Sequence, residues 1–340
     1  MAAHPMWRDE SARRWVAQTT RIAAGGLRPG ESPPGPVSEA AEEEVTRLLM
    51  RHRLAALVYD GHEEGRIGAL SDSLADLCRE VWCDTLRRNW AALDVAEGAL
   101  VALAEAGVPA APVGVMAQLC SPDPSQAPAL RPAPRWRLVV ETGERQRAAA
   151  ALRGLGLERV TSDRAEPWVL QRRLGRHELR LALHATWSWR RGWRRRGCCA
   201  ADHFLKWHCR HDGRGFWPRV EPHLLLQCGW AVQGGLRRGI WLFDLDREIR
   251  CRKPEWTRFV ALARRAGLTR QAWLALDATR SWFGSPIPPE ILDALAPHPW
   301  VRRRLPVLPP GADGLAGSGL ARGWWLGAGQ GAPVGEGLAP

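Results

Sequence analysis

The fold is decided by the stretch ALRPAPRWRLVVETGERQRAAAALRGLGLERV, residues 129–160. Within it, the apolar run WRLVVE (136–141) has the length of a buried strand. The segment GERQRAAAALRGLG (143–156) is a helix candidate that ends at a glycine, and the run LERV (157–160) is a further strand candidate. The spacing of apolar residues in the middle of the chain is therefore typical of strands that alternate with a helix.

Three more strand candidates lie on either side of this stretch. They are VPAAPVGVM (108–116), PWVLQRR (167–173) and HELRLALHA (177–185). The flanking regions have helical periodicity instead. SEAAEEEVTRLLMRHRLAALVY (38–59) has acidic residues early and basic residues late, as the helix dipole favours, and a second helix is predicted from Ser71 or Ser73 to Gly107.

From Glu221 onward the chain is predicted to be helical, with five apolar segments that end before residue 297. We expect a mixed α/β (α+β) fold, in which a small mixed sheet is enclosed by N-terminal and C-terminal helices. The predicted division is a flexible N-terminal arm and linker (1–37), an N-terminal helical segment (38–107), an α/β core (108–200), a C-terminal helical domain (201–305) and a disordered Gly-rich tail (306–340).

The chain of 340 residues is 45% hydrophobic and carries a formal net charge of +12. A charge of this sign is typical of proteins with polyanionic partners. Here Arg is abundant while Lys occurs only at positions 206 and 253, a bias typical of GC-rich coding, so the charge predicts a nucleic-acid partner only weakly. The eight cysteines form no regular framework, and the sequence shows neither a membrane span nor a signal peptide; we therefore expect a cytoplasmic protein.

Several segments in order resemble the uncharacterised nucleotidyltransferase family, a branch of the polymerase-beta-like nucleotidyltransferases. They are RLLMRHRLAALVY, LVALAEAGVPAAPVGVMAQL, the stretch quoted first, LRLALHATW and GIWLFDLDREI, and together they extend over residues 42–296. The last segment contains the Trp-Leu-x-Asp-Leu signature of the family, whose aspartate here is Asp244. The resemblance implies the mixed-sheet fold and an ancestral transfer of a nucleoside monophosphate from a Mg²⁺-bound triphosphate.

The carboxylates that this chemistry needs are missing from the positions where the resemblance implies them. Two Asp at i and i+2 on one strand and a third Asp from a neighbouring strand would hold Mg²⁺. In this sequence the pair falls on Arg135 and Arg137, and the third position falls on Ala182. The lysine of the preceding Lys-Gly turn has become Val113, although Gly114 is retained. The resemblance therefore predicts that Arg135 and Arg137 share one face of a strand, with Ala182 on the strand beside it.

We interpret the chain as a degenerate family member that binds a partner protein or an anionic ligand. The ligand-binding candidates are Gly114, Arg135, Arg137 and His184; no catalytic residue is identified, and no metal or cofactor is expected, whereas intact relatives would use Mg²⁺ and a nucleoside triphosphate. The two Arg would suit an anion clamp. Alternatively, these positions changed to Arg once metal binding was no longer selected, and the side chains now point into a solvated cleft.

Two alternatives use other residues. An active nucleotidyltransferase with displaced carboxylates would draw on Glu141, Glu144 and Glu178. A nucleic-acid or membrane-surface binder would use the Arg- and Trp-rich run WSWRRGWRRRG (187–197). The Cys and His residues of CCAADHFLKWHCRH (198–211) have no standard zinc spacing, so they predict no metal site.

Overall fold

The structure is a computed structural model, and the description covers most of the chain. The described residues are 10–26, 32–121, 127–133, 135–162, 167–188, 198–211, 215–236 and 238–297. The predicted Gly-rich tail, residues 306–340, lies outside them. Within the described part of the chain, no helix has the length and apolar character needed to cross a membrane.

Helices at both ends of the described chain enclose a central group of strands. The helices are α1 Glu10–Ala23, α2 Glu39–His52, α3 Ala55–Glu63, α4 Asp72–Glu105, α5 Val115–Cys120, α6 Arg145–Arg153, α7 Ala201–His208, α8 Val220–Gln233, α9 Gly239–Arg252, α10 Trp256–Arg265, α11 Thr269–Phe283 and α12 Pro289–Leu295. The strands are β1 Ala110–Val113, β2 Trp136–Val140, β3 Glu158–Arg159, β4 Trp168–Leu174, β5 His177–His184, β6 Thr186–Ser188, β7 Cys198–Ala200, β8 Cys209–His211 and β9 Phe216–Pro218.

The main sheet has five strands in the order β1-β2-β5-β4-β3. Strand β2 runs parallel to β5, and the other three pairings are antiparallel. The sheet is therefore mixed, as the sequence predicted, and each of its five strands overlaps one of the five strand candidates. Two further two-stranded ribbons, β6-β7 and β8-β9, form separate sheets.

The two faces of the sheet are covered by different elements. One face packs on the second half of α4 and on α5 and α6, through residues such as Trp136, Leu138 and Leu181. The opposite face, which includes Val139, meets α7 and Leu226 of α8. Alternate residues of a strand point to opposite faces, so one strand supplies both cores.

The N-terminal and C-terminal helices share one large apolar core. It joins α1, α2, α3 and the start of α4 to α8, α9, α10, α11 and α12. The helix predicted over 38–59 is broken at Arg53, which adopts the left-handed conformation (φ 59°) and separates α2 from α3. The second predicted helix is confirmed, with Ser71 as its N-cap and Gly107 (φ 63°) just beyond its end.

The prediction of a loosely attached arm before residue 37 is wrong for residues 10–26. Helix α1 buries Val16, Ile22 and Ala23 in the large core, and Trp282 of α11 donates a hydrogen bond of 3.1 Å to Thr20. The Gly/Pro-rich linker prevents a continuous helix between α1 and α2. It does not prevent the amphipathic helix α1, which precedes it, from packing on helices that come later in the chain. The burial of apolar surface holds α1 in the core, and the composition of the linker contains no information about that burial.

An ion pair between Arg131 and Asp244 connects the segment before β2 to helix α9. The Arg131 Nε donates to Asp244 Oδ1 at 2.7 Å, and its Nη2 donates to Asp244 Oδ2 at 2.9 Å. Both side chains are 10% exposed. Asn89 of α4 donates to the Arg131 carbonyl oxygen at 2.7 Å, so the loop is held from both sides. Asp244 therefore pairs with an arginine in the middle of an apolar helix.

We expect Asp244→Ala to lower the free energy of unfolding by about 3 to 5 kcal/mol, because it leaves the guanidinium of Arg131 buried and unpaired. Replacing both residues by Leu should cost less than the single change. The matched control is Asp76→Ala, which removes an exposed pair with Arg79 and should cost less than about 1 kcal/mol. Denaturant unfolding measures all three, and equal losses for Asp244→Ala and the control would contradict a structural role for the pair.

Candidate functional site

The pairing of β2 with β5 brings together two of the positions that the sequence singled out. Arg137 lies beside Ala182, and two residues further along Val139 lies beside His184. The neighbouring residues of β2 point into the opposite core, so Arg137 and His184 share the face that α7 and α8 cover. Arg135 precedes the first residue of β2 and is exposed. The register of Arg137 and Ala182 is the one that the resemblance predicted, but Arg135 does not lie on the strand with Arg137, because β2 begins one residue after it.

The guanidinium of Arg137 stacks on an aromatic ring from α8. Its Cζ atom lies 4.3 Å from the ring centroid of Trp230, a cation–π contact. The side chain is half-buried, and burial, together with the nearby charges of Arg131 and Arg135, lowers the pKa of Arg137 to about 10. Within the described ranges, neither a hydrogen bond nor an ion pair reaches this guanidinium. No carboxylate of the described chain forms an ion pair with it, and Asp244, which pairs with Arg131, offsets its charge only from a distance.

Gly114, between β1 and α5, sits directly against this pair. A Cβ at this position would lie 2.9 Å from Trp230 Cζ3 and 3.6 Å from Arg137 Nη1, and the backbone has φ 63°. Both the close approach and the left-handed conformation require glycine. The backbone N–H of Gly114 donates to His223 Nε2 at 2.9 Å, so the turn is fixed by helix α8.

The partner of Gly114 belongs to a buried polar chain between α8 and α9. Since a backbone N–H can only donate, His223 Nε2 accepts, and the ring hydrogen is on Nδ1, which lies 3.0 Å from Glu248 Oε1. Arg252 donates to the same oxygen at 2.9 Å. Burial raises the pKa of Glu248, but the contacts with His223 and Arg252 outweigh it, so the net shift is downward. An ionised Glu248 thus orients the ring that holds Gly114.

His184 is the second unusual group on this face. Burial and, to a smaller extent, the charge of Arg137 lower the pKa of His184 to about 3. The ring is therefore neutral at neutral pH. Its Nε2 atom is buried and has no hydrogen-bond partner among the described residues. A buried polar atom without a partner is costly, so this atom is available to a ligand that enters beside Arg137.

The residues at this site do not fit the Mg²⁺ ion that the resemblance implies. Mg²⁺ prefers carboxylate and water oxygens, and the strand positions in question hold Arg137 and Ala182. In the described part of the chain, no three His, Cys, Asp or Glu side chains are grouped as a metal site requires. The side chains of Cys198 and Cys199, from the Cys- and His-rich string, lie outside the described set.

The three glutamates of the displaced-carboxylate alternative do not converge. In the parallel register of β2 and β5, Glu178 lies beside position 133, before the start of β2. Glu141 comes just after the other end of β2. Eight residues of extended strand separate these levels by about 25 Å. Glu144 lies near Glu141 and pairs with Arg147 at 2.7 Å, while Glu178 accepts a hydrogen bond from Arg180. These three carboxylates cannot share one metal ion.

Sequence reasoning found the strand positions of the site but missed the residues that α8 contributes. Trp230 and His223 are seven residues apart on that helix and therefore lie on one face, toward Gly114 and Arg137. A histidine and a glutamine inside the apolar run EPHLLLQCGW were the available signal, because buried polar groups require partners. The Arg- and Trp-rich run predicted at 187–197 lies almost wholly outside the described residues.

A mixed five-stranded sheet enclosed by helices defines an α/β protein of the nucleotidyltransferase-like class. The family described as uncharacterised nucleotidyltransferase matches residues 38–284, and the chain belongs to that family. No curated protein and no solved structure matches the chain. Membership covers the sheet, helices α2 to α9 and most of the remaining C-terminal helices, so the site described above lies entirely within the matched region.

We expect His184 to make the protein sensitive to mild acid. The unfolded chain binds a proton at this residue below about pH 6.5, whereas the folded protein does so only near pH 3, so stability is full above pH 6.5 and is lost as the pH falls. At pH 5 the loss from His184 should be about 2 kcal/mol. Unfolding of the wild type and of His184→Leu between pH 7 and pH 5 measures it.

The variant should lose less stability over that range than the wild type. His52 and His208, whose pKa values burial also lowers to about 4, remain in both proteins and account for the acid sensitivity that is left. His62→Gln, at a partly exposed position of α3, is the matched control for the removal of a histidine. Identical pH profiles for His184→Leu and the wild type would show that the ring protonates equally in both states.

Proposed function

We propose that this family member is catalytically degenerate and binds an anionic ligand on the sheet face formed by Gly114, Arg135, Arg137 and His184. The observation that carries the proposal is the half-buried guanidinium of Arg137. It lies over Trp230, beside Ala182, without a carboxylate partner among the described residues. In an intact relative the corresponding strand positions would hold metal-binding aspartates.

Charge supports the loss of the metal-dependent reaction. Replacing two Asp by two Arg changes the local charge by four units. At about 4 Å, one pair of unit charges interacts by roughly 4 kcal/mol at an effective dielectric of about 20. A divalent cation is repelled from such a position, while a phosphate or carboxylate is attracted to it.

The neighbours of Arg137 support a ligand site rather than a drifted, solvated position. A side chain that had only drifted into solvent would extend into water, but the guanidinium is packed on an aromatic ring and half-buried. His184 adds a neutral ring nitrogen without a partner among the described residues. A phosphate group that bridges the two residues would satisfy both, because guanidinium donates and a neutral imidazole nitrogen can donate as well.

The active-transferase alternative lacks support from the glutamates that suggested it, because Glu141 and Glu178 lie at opposite ends of the sheet. It would need carboxylates from elsewhere in the chain or from a partner. Binding of a partner protein remains a prediction from the sequence, as does the cytoplasmic location. The contacts around Arg137 favour a small anion over a protein surface, because only Arg135 of the pair is exposed.

We expect the wild type to bind ATP and inorganic tripolyphosphate in the presence of EDTA, with an affinity that falls as salt is added. A charge-assisted hydrogen bond contributes roughly 1.5 to 3 kcal/mol, so Arg135→Ala combined with Arg137→Ala should lower the affinity on the order of a hundredfold or more. Aspartate at both positions should abolish metal-free binding. Titration calorimetry measures each affinity.

The matched control for this titration is Arg153→Ala. Arg153 is exposed at the end of α6, on the side of the sheet opposite Arg137, so its loss should leave binding unchanged. If the wild type binds neither ligand, or if the double alanine variant binds as well as the wild type, the clamp does not exist. In that case the two arginines have no role in ligand binding.

We also expect no nucleotidyl transfer that depends on Mg²⁺, because the strand positions that would hold the ion carry positive charge or no charge. The assay is incubation of the protein with each labelled triphosphate and a cell extract as the source of acceptors. Label transfer above background that EDTA abolishes would show that the protein is an active enzyme. A catalytically intact relative from the same family is the positive control.

A further inference from the structure

A second arginine without an ion pair lies at the end of helix α2. Arg53 is half-buried and adopts φ 59° and ψ 40°, a left-handed conformation that residues with a large side chain rarely take. Within the described ranges, its guanidinium meets no carboxylate. This conformation ends the helix, because the backbone N–H groups of Arg53 and Leu54 donate to the carbonyl oxygens of Met50 and Leu49.

Arg238 lies at the same junction. The backbone N–H of Gly239 donates to His52 Nδ1 at 3.1 Å, which brings the residue after Arg238 into contact with the residue before Arg53. A Cβ on Gly239 would lie 2.7 Å from Leu54, so the two chain segments approach too closely for a side chain. The guanidinium of Arg238 is 5.8 Å from the ring centroid of Trp241 and has no carboxylate partner among the described residues.

Some arginines near this junction form ion pairs with carboxylates, and others do not. Arg131 pairs with Asp244 and Arg88 with Asp84, whereas Arg53 and Arg238 have no such partner among the described residues. Burial and then the charges of Arg238, Arg131 and Arg88, in that order, lower the pKa of Arg53 to about 10. Positive charge is therefore in excess around Arg53.

This junction lies near the site at Arg137. Arg131 is close enough to both Arg53 and Arg137 for its charge to affect the pKa of each. Helix α8 also connects them. Trp230 stacks on Arg137, and one turn further along the ring of Trp241 covers Gly234, where a Cβ would lie 2.0 Å from the ring. Two Arg–Trp pairs, Arg137 with Trp230 and Arg238 with Trp241, thus flank the end of one helix.

We propose that Arg53 and Arg238 form a second anion-binding position, so that the ligand is a polyanion that carries a further phosphate-type group beyond the one held at Arg137. This inference rests on the function proposed above. Half-buried positive charges without ion-pair partners raise the local concentration of an oppositely charged ligand. A phosphate chain longer than a triphosphate supplies the additional anionic groups that a second position would bind.

The test compares inorganic tripolyphosphate with long-chain inorganic polyphosphate by calorimetry, with EDTA present and the full chain as the protein. The wild type should bind the long chain more tightly. Arg53→Asn and Arg238→Gln should each weaken long-chain binding about tenfold or more and change tripolyphosphate binding by less than about twofold. Asparagine tolerates the left-handed conformation at residue 53, and Arg53→Gly, which also removes the charge and fits that conformation, serves as a second variant if Arg53→Asn does not fold. The control is Arg153→Gln.

The possible results separate this inference from the proposed function. If neither variant changes long-chain binding, or if both weaken the two ligands equally, there is no separate second position. If Arg137→Ala leaves tripolyphosphate binding unchanged while Arg53→Asn still weakens the long chain, the function proposed for Arg137 fails and the second position stands by itself. Thermal unfolding of each variant shows whether a lost affinity reflects a lost fold.

Discussion

The hydrogen bond from the Gly114 backbone to His223 is the contact on which the arrangement of the site depends. It joins the end of β1 to helix α8, and through His223 and Glu248 it reaches α9 and Arg252. Because the ring must accept from Gly114, its other nitrogen is committed to Glu248, and the helix has one orientation. That orientation places Trp230 against Gly114, and a side chain at residue 114 would displace it.

The same contact explains how the guanidinium of Arg137 is accommodated. A buried cation without a counter-ion is expensive, and the ring of Trp230 reduces this cost through its electron-rich face. The pair of Arg131 and Asp244 adds a second connection between the loop before β2 and the C-terminal helices. Together these two contacts hold the sheet and the shared helical core as one unit, although the strands and the helices form different apolar clusters.

The scaffold of the family and its chemistry have different requirements. The scaffold needs apolar residues at alternate positions of β2 and β5, a glycine at 114 and a helix that covers the open face; all of these are present. The chemistry needs carboxylates, and the strand positions at which the resemblance implies them carry Arg137 and Ala182. These two residues lie outside the main apolar clusters of the sheet, so the fold does not depend on which side chain stands there.

The sequence by itself determined the main strands, their approximate limits and the two long helical regions, because alternation and helical period are local signals. The expectation that Arg137 lies beside Ala182 came from the family resemblance, and the strand register agrees with it. The sequence did not determine that α1 packs into the core, that α2 ends at a left-handed Arg53, or that Trp230 and His223 contact Arg137 and Gly114. Those features are contacts between residues far apart in the chain. Which polar group becomes buried and which arginine remains without a carboxylate is decided only when the helices pack, since packing sets the local dielectric and the available partners.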